Sequence, residues 1–209
     1  MWPSSLGNPN PENTTAMNHR KPYYVFIIAC ALLLSGARAS EEQTPNATMD
    51  DLEWQLELHD HSELLARMAT PGSTLMPFTT DGCSGGLSVG WEYLAGHVEN
   101  VRDVHGTRPP WETCCITHDR LYHVGAVINA STEDSFVARK QADLALLSCV
   151  VETGKTRQEE LMVKYDVSAG TVETLYAAIA ELMYRAVRIG GIPCSTLPWR
   201  WGYGWPECG

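Results

Sequence analysis

The chain has 209 residues, of which 44% are hydrophobic and 19% are charged, and its formal net charge at pH 7 is −10. This is the composition of a globular protein, and it excludes the disordered and fibrous classes. The excess of acidic groups argues against a nucleic-acid-binding surface, which needs clustered Lys and Arg. No apolar run approaches the roughly 18 residues of a membrane span, which excludes a multi-pass membrane protein.

The amino terminus has the features of an export signal. Two basic residues precede an apolar run at 23–34, and the small residues Ala37 and Ala39 follow it. This order is typical of a secretory signal peptide. We expect residues 1–39 to be removed and the mature protein to be secreted, either extracellular or periplasmic. A lipoprotein cleavage box ending at Cys30 and an uncleaved anchor are the alternatives.

Export changes how the cysteines are interpreted. The cysteines after the signal are Cys83, Cys114, Cys115, Cys149, Cys194 and Cys208. An even number in an oxidising compartment predicts three disulfides, although six cysteines allow about 15 pairings. A zinc site that combines the adjacent Cys114 and Cys115 with His118 and His123 is disfavoured, because adjacent cysteines rarely serve one tetrahedral site.

Hydrophobic periodicity and capping residues predict a mostly helical mature chain. The predicted helices are 49–69, 111–124, a third that Ser131 or Thr132 caps and that ends near Gly154, and 171–189. The glycine-rich segment 77–90 is expected to be a loop, and the tail after Pro193 to be irregular. Neither internal repeats nor β-α-β alternation occur. The pattern therefore predicts an all-α, disulfide-stapled fold.

The predicted helix 111–124 carries residues suited to general-base and metal chemistry. His118 and Tyr122 are four residues apart and share a face, and Asp119 lies about 100° round the axis from His118. A histidine beside an aspartate on a rigid helix can place a general base next to a metal-binding carboxylate. The alternative is an ordinary solvated helix face.

The next predicted helix contributes an acid in an apolar stretch. Asp143 lies six residues before Cys149, and an acid in such a stretch is costly unless it is paired. If Cys114 pairs with Cys149, the two helices are joined and Asp143 can face His118. Its carboxylate would then hold one ring nitrogen and leave the other to take a proton from water.

The loop at 81–86 has the sequence DGCSGG. Closely spaced glycines allow consecutive carbonyl oxygens to turn towards one point. Together with a neighbouring carboxylate, they form the oxygen cage of about 6–8 ligands that calcium prefers. The loop therefore predicts a calcium site, and the alternative is a flexible turn.

These three features together resemble the secreted phospholipase A2 family. The family's signatures are a glycine-rich calcium loop containing a cysteine, the helix motif C-C-x-x-H-D-x-x-Y, and a second helix with Asp six residues before Cys. The chain matches them at 82–86, at 114–122 and with Asp143 and Cys149. The resemblance covers roughly residues 81–150.

The resemblance implies a calcium-dependent enzyme that hydrolyses the sn-2 ester of glycerophospholipids at a membrane or micelle surface. It makes His118 the general base, Asp143 the acid that orients it, and Tyr122 a hydrogen-bond partner of that acid. The implied Ca²⁺ ligands are the carbonyl oxygens of Gly82, Ser84 and Gly86 and the carboxylate of Asp119. Asp81 is a possible additional ligand.

The resemblance also implies an organisation of the chain. Disulfides Cys83–Cys115 and Cys114–Cys149 carry over from the family, which leaves Cys194 to pair with Cys208. The expected segments are a signal peptide at 1–39, a linker and amino-terminal helix at 40–80, a phospholipase A2-like catalytic core at 81–155, and a helical, Trp-rich extension at 156–209. The core would consist of two antiparallel helices with the calcium loop.

The chain also departs from the family pattern. Many members have a further pair of cysteines where this chain has Leu121 and Ala142, so one bridge is absent as a whole. An insert near 91–107 lengthens the interval between the loop and His118.

Two other functions are compatible with parts of the sequence. A binding protein or toxin could use the same scaffold without catalysis. A serine lipase could use Ser88, which lies in a G-x-S-x-G motif. That motif needs a buried strand before the serine, and the preceding residues from Met76 to Gly82 are a poor central strand. The tryptophans of the tail suit either core packing or a lipid interface.

Overall fold

The computed structural model describes residues 47–83, 87–97 and 99–209 of the chain. These residues form helices joined by turns, and no strand occurs among them. The helices are α1 (Ala47–Ala69), α2 (Leu87–His97), α3 (Glu99–His105), α4 (Glu112–Val124), α5 (Thr132–Thr156), α6 (Gln158–Tyr165) and α7 (Ala169–Gly190). The expected all-α character is therefore confirmed for this part of the chain.

Local sequence signals set the ends of the two helices at the centre of the fold. α4 ends at Gly125, whose φ of 66° is a conformation that glycine adopts without a steric penalty. α5 begins with a capping box, in which the Ser131 side chain accepts a hydrogen bond from the Asp134 amide and the Asp134 carboxylate accepts one from the Ser131 amide. Of the two predicted caps, Ser131 and Thr132, the structure has Ser131.

Three disulfides connect the described elements, and all three match the expected pairing. Cys83–Cys115 ties the loop after α1 to α4, and Cys114–Cys149 ties α4 to α5. Cys194–Cys208 closes the carboxy-terminal tail on itself. Three disulfides suggest an oxidising, extracellular-type environment.

α5 lies at the centre of the packing and contacts α7, α4 and α1. One core cluster contains buried residues of every helix from α2 to α7, among them Val150, Tyr176 and Ala180. A second cluster joins α1, α4, α5 and the tail through Leu64, Tyr122, Ala142, Trp201 and Trp205. The amino- and carboxy-terminal helices are therefore packed directly on the helices that carry the predicted site.

The tail is irregular, as expected, and two of its tryptophans belong to the core. Trp201 Nε1 donates to Ser135 Oγ at 3.1 Å, and Trp205 Nε1 donates to the Val124 carbonyl at 2.8 Å. Both rings are buried. Core packing is thus the correct interpretation for these two side chains.

Three elements differ from the expectations, and one of them is the helix α3, which was not predicted. α2 begins at Leu87, inside the predicted loop 77–90, and its four-residue spacing places Trp91 and Ala95 together in the core. The helix α6 was not predicted. It is separated from α5 because the chain bends at Arg157, whose guanidinium donates to the Val104 carbonyl at 2.8 Å.

None of the described helices has both the length and the apolar character that crossing a membrane requires.

Candidate active site

The predicted base and its orienting acid lie in direct contact between α4 and α5. His118 Nε2 is 2.9 Å from Asp143 Oδ1, and the two side chains are 5% and 0% exposed. The Cys114–Cys149 disulfide joins the same two helices, one turn before His118 and six residues after Asp143. The helix pair therefore holds this histidine and this acid in one fixed arrangement.

Tyr122 contacts both His118 and Asp143. Its hydroxyl donates to Asp143 Oδ1 at 2.6 Å, and its ring centroid lies 4.1 Å from that of His118. Burial raises the pKa of the phenol, and the charge of Asp143 raises it further, although Arg139 acts in the opposite direction. Tyr122 therefore stays protonated and remains a hydrogen-bond donor.

The environment of His118 favours its acceptance of a proton. Burial alone would lower the pKa of the imidazole, but hydrogen bonds and charges from Asp119 and Asp143 outweigh burial, and the pKa is raised. The second ring nitrogen, Nδ1, is 3.8 Å from Asp119 Oδ1. Nε2 is held by Asp143, so Nδ1 is the nitrogen on the side of Asp119, the carboxylate expected from the sequence to bind the metal.

Asp119 is held by the segment that leads into the glycine-rich loop. Thr80 Oγ1 donates to Asp119 Oδ2 at 2.5 Å, and the Gly82 amide donates to Thr80 Oγ1 at 3.0 Å. The Cys83–Cys115 disulfide ties the next residue of this segment to α4. The loop and the helix are thus joined both covalently and by hydrogen bonds.

A cavity of about 270 Å³ lies at this junction. Residues of the loop, of α4 and of the tail line it, among them Thr80, Asp81, Asp119, Pro198, Trp199 and Tyr203. A larger and more open cavity of about 750 Å³ shares none of these lining residues and has Asp103, Glu159 and Lys164 at its wall. The smaller cavity is the relevant one because it contains the carboxylate next to His118.

Asp119, a calcium ligand expected from the sequence, and Asp81, the possible additional ligand, both line the smaller cavity. Burial raises the pKa of Tyr203, a third residue of this cavity, and the negative charges of Asp119 and Asp81 raise it further. Gly82 is buried and has a φ of 82°. Carboxylate, hydroxyl and backbone oxygens are the hard ligands that calcium takes. The predicted ligands Ser84 and Gly86 lie outside the described residues.

Within the ranges that the structure describes, no three or more His, Cys, Asp or Glu side chains are grouped so that they could hold a metal ion. The site predicted from the sequence draws mainly on backbone carbonyls and needs no such group. The zinc interpretation is excluded here because Cys114 and Cys115 each form a disulfide. Ser88 of the lipase motif is the second residue of α2, and residues 76–83 before it contain no strand.

Two arginines that the sequence analysis missed lie next to the site. Arg188 of α7 donates from Nη1 to Asp143 Oδ2 at 3.1 Å. Arg139 of α5 is fully buried and donates from Nε to the Tyr122 hydroxyl at 3.2 Å. Both arginines also bind Glu57 of α1. A cluster of buried charges therefore extends from α1 to the orienting acid.

The sequence did contain a signal for part of this cluster. Glu53, Glu57 and His61 follow each other at intervals of four, which places three polar side chains on one face of α1. Arg139 and Asp143 have the same spacing on α5. The spacing signals a shared polar face but not its burial, since the polar stripe of an amphipathic helix ordinarily faces solvent. The structure buries Glu57 and His61.

The chain has no match among protein-family models, curated proteins or solved structures. The function is therefore argued from the geometry of the site.

Proposed function

We propose that this protein is a secreted, calcium-dependent phospholipase A2 that hydrolyses the sn-2 ester of glycerophospholipids to a fatty acid and a lysophospholipid. The observation that carries the proposal is the 2.9 Å contact between His118 Nε2 and Asp143 Oδ1, with Nδ1 on the side of Asp119. In the proposed fold, α4 and α5 are the two antiparallel helices of a phospholipase A2-like core, and α1 and α7 are additions to it.

His118 acts as the general base. Its Nε2–H donates to Asp143, which fixes the tautomer and leaves the lone pair of Nδ1 to accept a proton from water. The oxygen of that water attacks the carbonyl carbon of the sn-2 ester. The bond between this carbon and the glycerol oxygen then breaks, and His118 returns the proton to the departing oxygen.

Asp143 and Tyr122 support the imidazole during proton transfer. The carboxylate stabilises the imidazolium that forms, and the hydroxyl of Tyr122 holds the carboxylate in line with Nε2. Because both groups are buried, water does not weaken these interactions.

Asp119 and the carbonyl oxygens of Gly82, Ser84 and Gly86 would hold Ca²⁺, and Asp81 would add charge to that site. The ion would supply Lewis-acid stabilisation of the negative charge that develops on the ester oxygen. Thr80 orients Asp119 through its hydrogen bond to Oδ2.

The proposal is tested by fatty-acid release from phosphatidylcholine vesicles by the mature protein, with calcium or with a chelator. Release that the chelator abolishes is the expected result. Release that persists in chelator and is blocked by a serine-directed reagent would assign the activity to Ser88. A correctly folded protein that releases no fatty acid in either condition would be a binding protein instead.

A further inference from the structure

The two oxygens of Asp143 have different partners. Oδ1 accepts from both His118 and Tyr122, whereas Oδ2 accepts from Arg188 Nη1 at 3.1 Å. A carboxylate that is held on only one oxygen can rotate about the bond to Cβ, and this rotation would move Oδ1 away from His118. A donor on Oδ2 opposes that rotation.

Arg188 is itself held on its other side. Its Nη2 donates to Glu53 Oε2 and to Glu57 Oε1, each at 2.9 Å. Its guanidinium carbon also lies 5.6 Å from the centre of the Phe136 ring. The planar, forked guanidinium thus binds the carboxylates of α1 on one side and the carboxylate of Asp143 on the other. A lysine would place only a single point charge between them.

We propose that Arg188 is a positioning residue of the active site, acting through Asp143 on His118, and that Glu57 of α1 keeps Arg188 in place. This inference rests on the proposed phospholipase A2 function. It extends the site to α1 and α7, which lie outside the part of the chain that resembles the family.

The charges of this cluster argue against a purely stabilising role. The cluster buries two arginines, Arg139 and Arg188, against two acids, Glu57 and Asp143. Buried ion pairs of this kind contribute little to stability compared with an apolar core of the same volume. The cluster instead fixes the orientation of the Asp143 carboxylate, which is the acid that binds His118.

The first experiment compares three variants in the phosphatidylcholine assay with calcium. Arg188→Met should lower kcat by about 100-fold, the order of loss that a misplacement of about 1 Å causes, and should leave KM within about 3-fold. Arg188→Lys should recover part of kcat because it restores a cation near Oδ2. Arg185→Met is the matched control, since Arg185 lies on the same helix, is exposed and pairs with the exposed Glu181. It should retain full activity.

The second experiment asks whether Arg188 acts through Asp143. In an Asp143→Asn background, Arg188→Met should change kcat by a much smaller factor than in the wild type. This double variant keeps Arg139 and Glu57 as a balanced buried pair, which favours folding. If Arg188→Met alone does not fold, Glu57→Gln with Arg188→Met replaces it, because Arg139 and Asp143 then remain balanced, and the same loss of kcat is expected.

The positioning role would be overturned if Arg188→Met lowered kcat by the same factor in the wild-type and Asp143→Asn backgrounds. It would also be overturned if folded Arg188→Met, or the double variant with Glu57→Gln, had an unchanged kcat. If the wild-type protein hydrolyses no phospholipid, the proposed function fails, and the catalytic role of Arg188 fails with it. A wild-type protein that is active and chelator-sensitive, with variants that show no coupling, leaves the function intact and rejects only the role of Arg188.

Discussion

Gly191 lies directly against the ring of Tyr122. A Cβ atom at residue 191 would come within 2.5 Å of Tyr122 Cε1 and 2.6 Å of its hydroxyl oxygen. The φ of Gly191 is −94°, which any residue can adopt, so the reason for glycine here is the space and not the backbone conformation. The end of α7 thus presses on the residue that donates to Asp143.

Gly191→Ala should therefore impair both stability and catalysis. The added methyl group displaces the Tyr122 ring, with a cost to the free energy of unfolding of about 1–3 kcal/mol and a lower kcat. Gly96→Ala is the matched control, because a Cβ at residue 96 meets nothing within 4 Å and lies inside α2. It should raise stability by up to about 1 kcal/mol. Urea denaturation and fatty-acid release check both variants, and equal effects would contradict the proposed contact.

The roles of the base and of the metal ligand are separable by substitution. His118→Gln should lower kcat by about 10²–10⁴-fold, since it removes the group that takes the proton from water, while calcium binding persists. Asp119→Asn should weaken calcium binding as well as turnover. Isothermal titration with Ca²⁺ and the release assay measure the two properties, and the exposed His97→Gln is the control for loss of an imidazole. A His118→Gln protein with wild-type kcat would exclude His118 as the base.

The Cys114–Cys149 disulfide should contribute more to stability than the disulfide in the tail. It closes a separation of 35 residues, against 14 for Cys194–Cys208. Chain entropy gives about 4 kcal/mol for the first loop and about 3 kcal/mol for the second. Paired cysteine-to-alanine variants, compared by urea denaturation, check the order. The first pair should also lose more activity because it joins the helices of His118 and Asp143, and a reversed order would contradict this account.

His105 should make the protein less stable in mild acid. Burial and, to a smaller extent, the charge of Arg157 lower the pKa of His105 to about 4, with Glu160 acting in the opposite direction. Its Nδ1 accepts from Arg157 Nη1 at 2.8 Å and its Nε2 donates to the Tyr165 hydroxyl at 2.8 Å, so the folded state holds the neutral ring. Between pH 6.5 and about 4 the unfolded chain binds a proton that the folded protein does not. The stabilisation is complete above pH 6.5 and is lost as the pH falls through this window.

His105→Gln should therefore flatten the dependence of unfolding free energy on pH between 6.5 and 4. The change cannot exceed the one-proton limit of about 1.4 kcal/mol per pH unit, and solvent screening of the partly exposed ring reduces it. His59→Gln, at an exposed position of α1, is the control and should leave the slope unchanged. An unaltered slope in His105→Gln would show that His105 is not the group responsible.

The local parts of the site were predictable from the sequence because helix periodicity determines them. The four-residue spacing of His118 and Tyr122 puts both on one face, and the structure has their rings 4.1 Å apart. The capping residue Ser131 and the glycine at the end of α4 gave correct helix limits. The disulfide pairing came from the resemblance and not from spacing, since six cysteines allow many pairings.

The long-range parts were not predictable in the same way. Arg188 is 45 residues from Asp143 and 131 residues from Glu57 along the chain, and periodicity carries no information across such distances. The interval of four between Glu53, Glu57 and His61 did signal a polar face on α1. It gave no indication of which cations would meet that face.

The contact between Glu57 and Arg188 has a consequence for biosynthesis. Arg139 follows Glu57 by 82 residues and Arg188 follows it by 131, so a growing chain carries Glu57 and Asp143 before it carries Arg188, the cation that binds both acids. The complete set of contacts around Asp143 can form only after residue 188 has been translated. In the proposed enzyme, the acid that orients His118 would therefore lack the donor on its Oδ2 until α7 has been made.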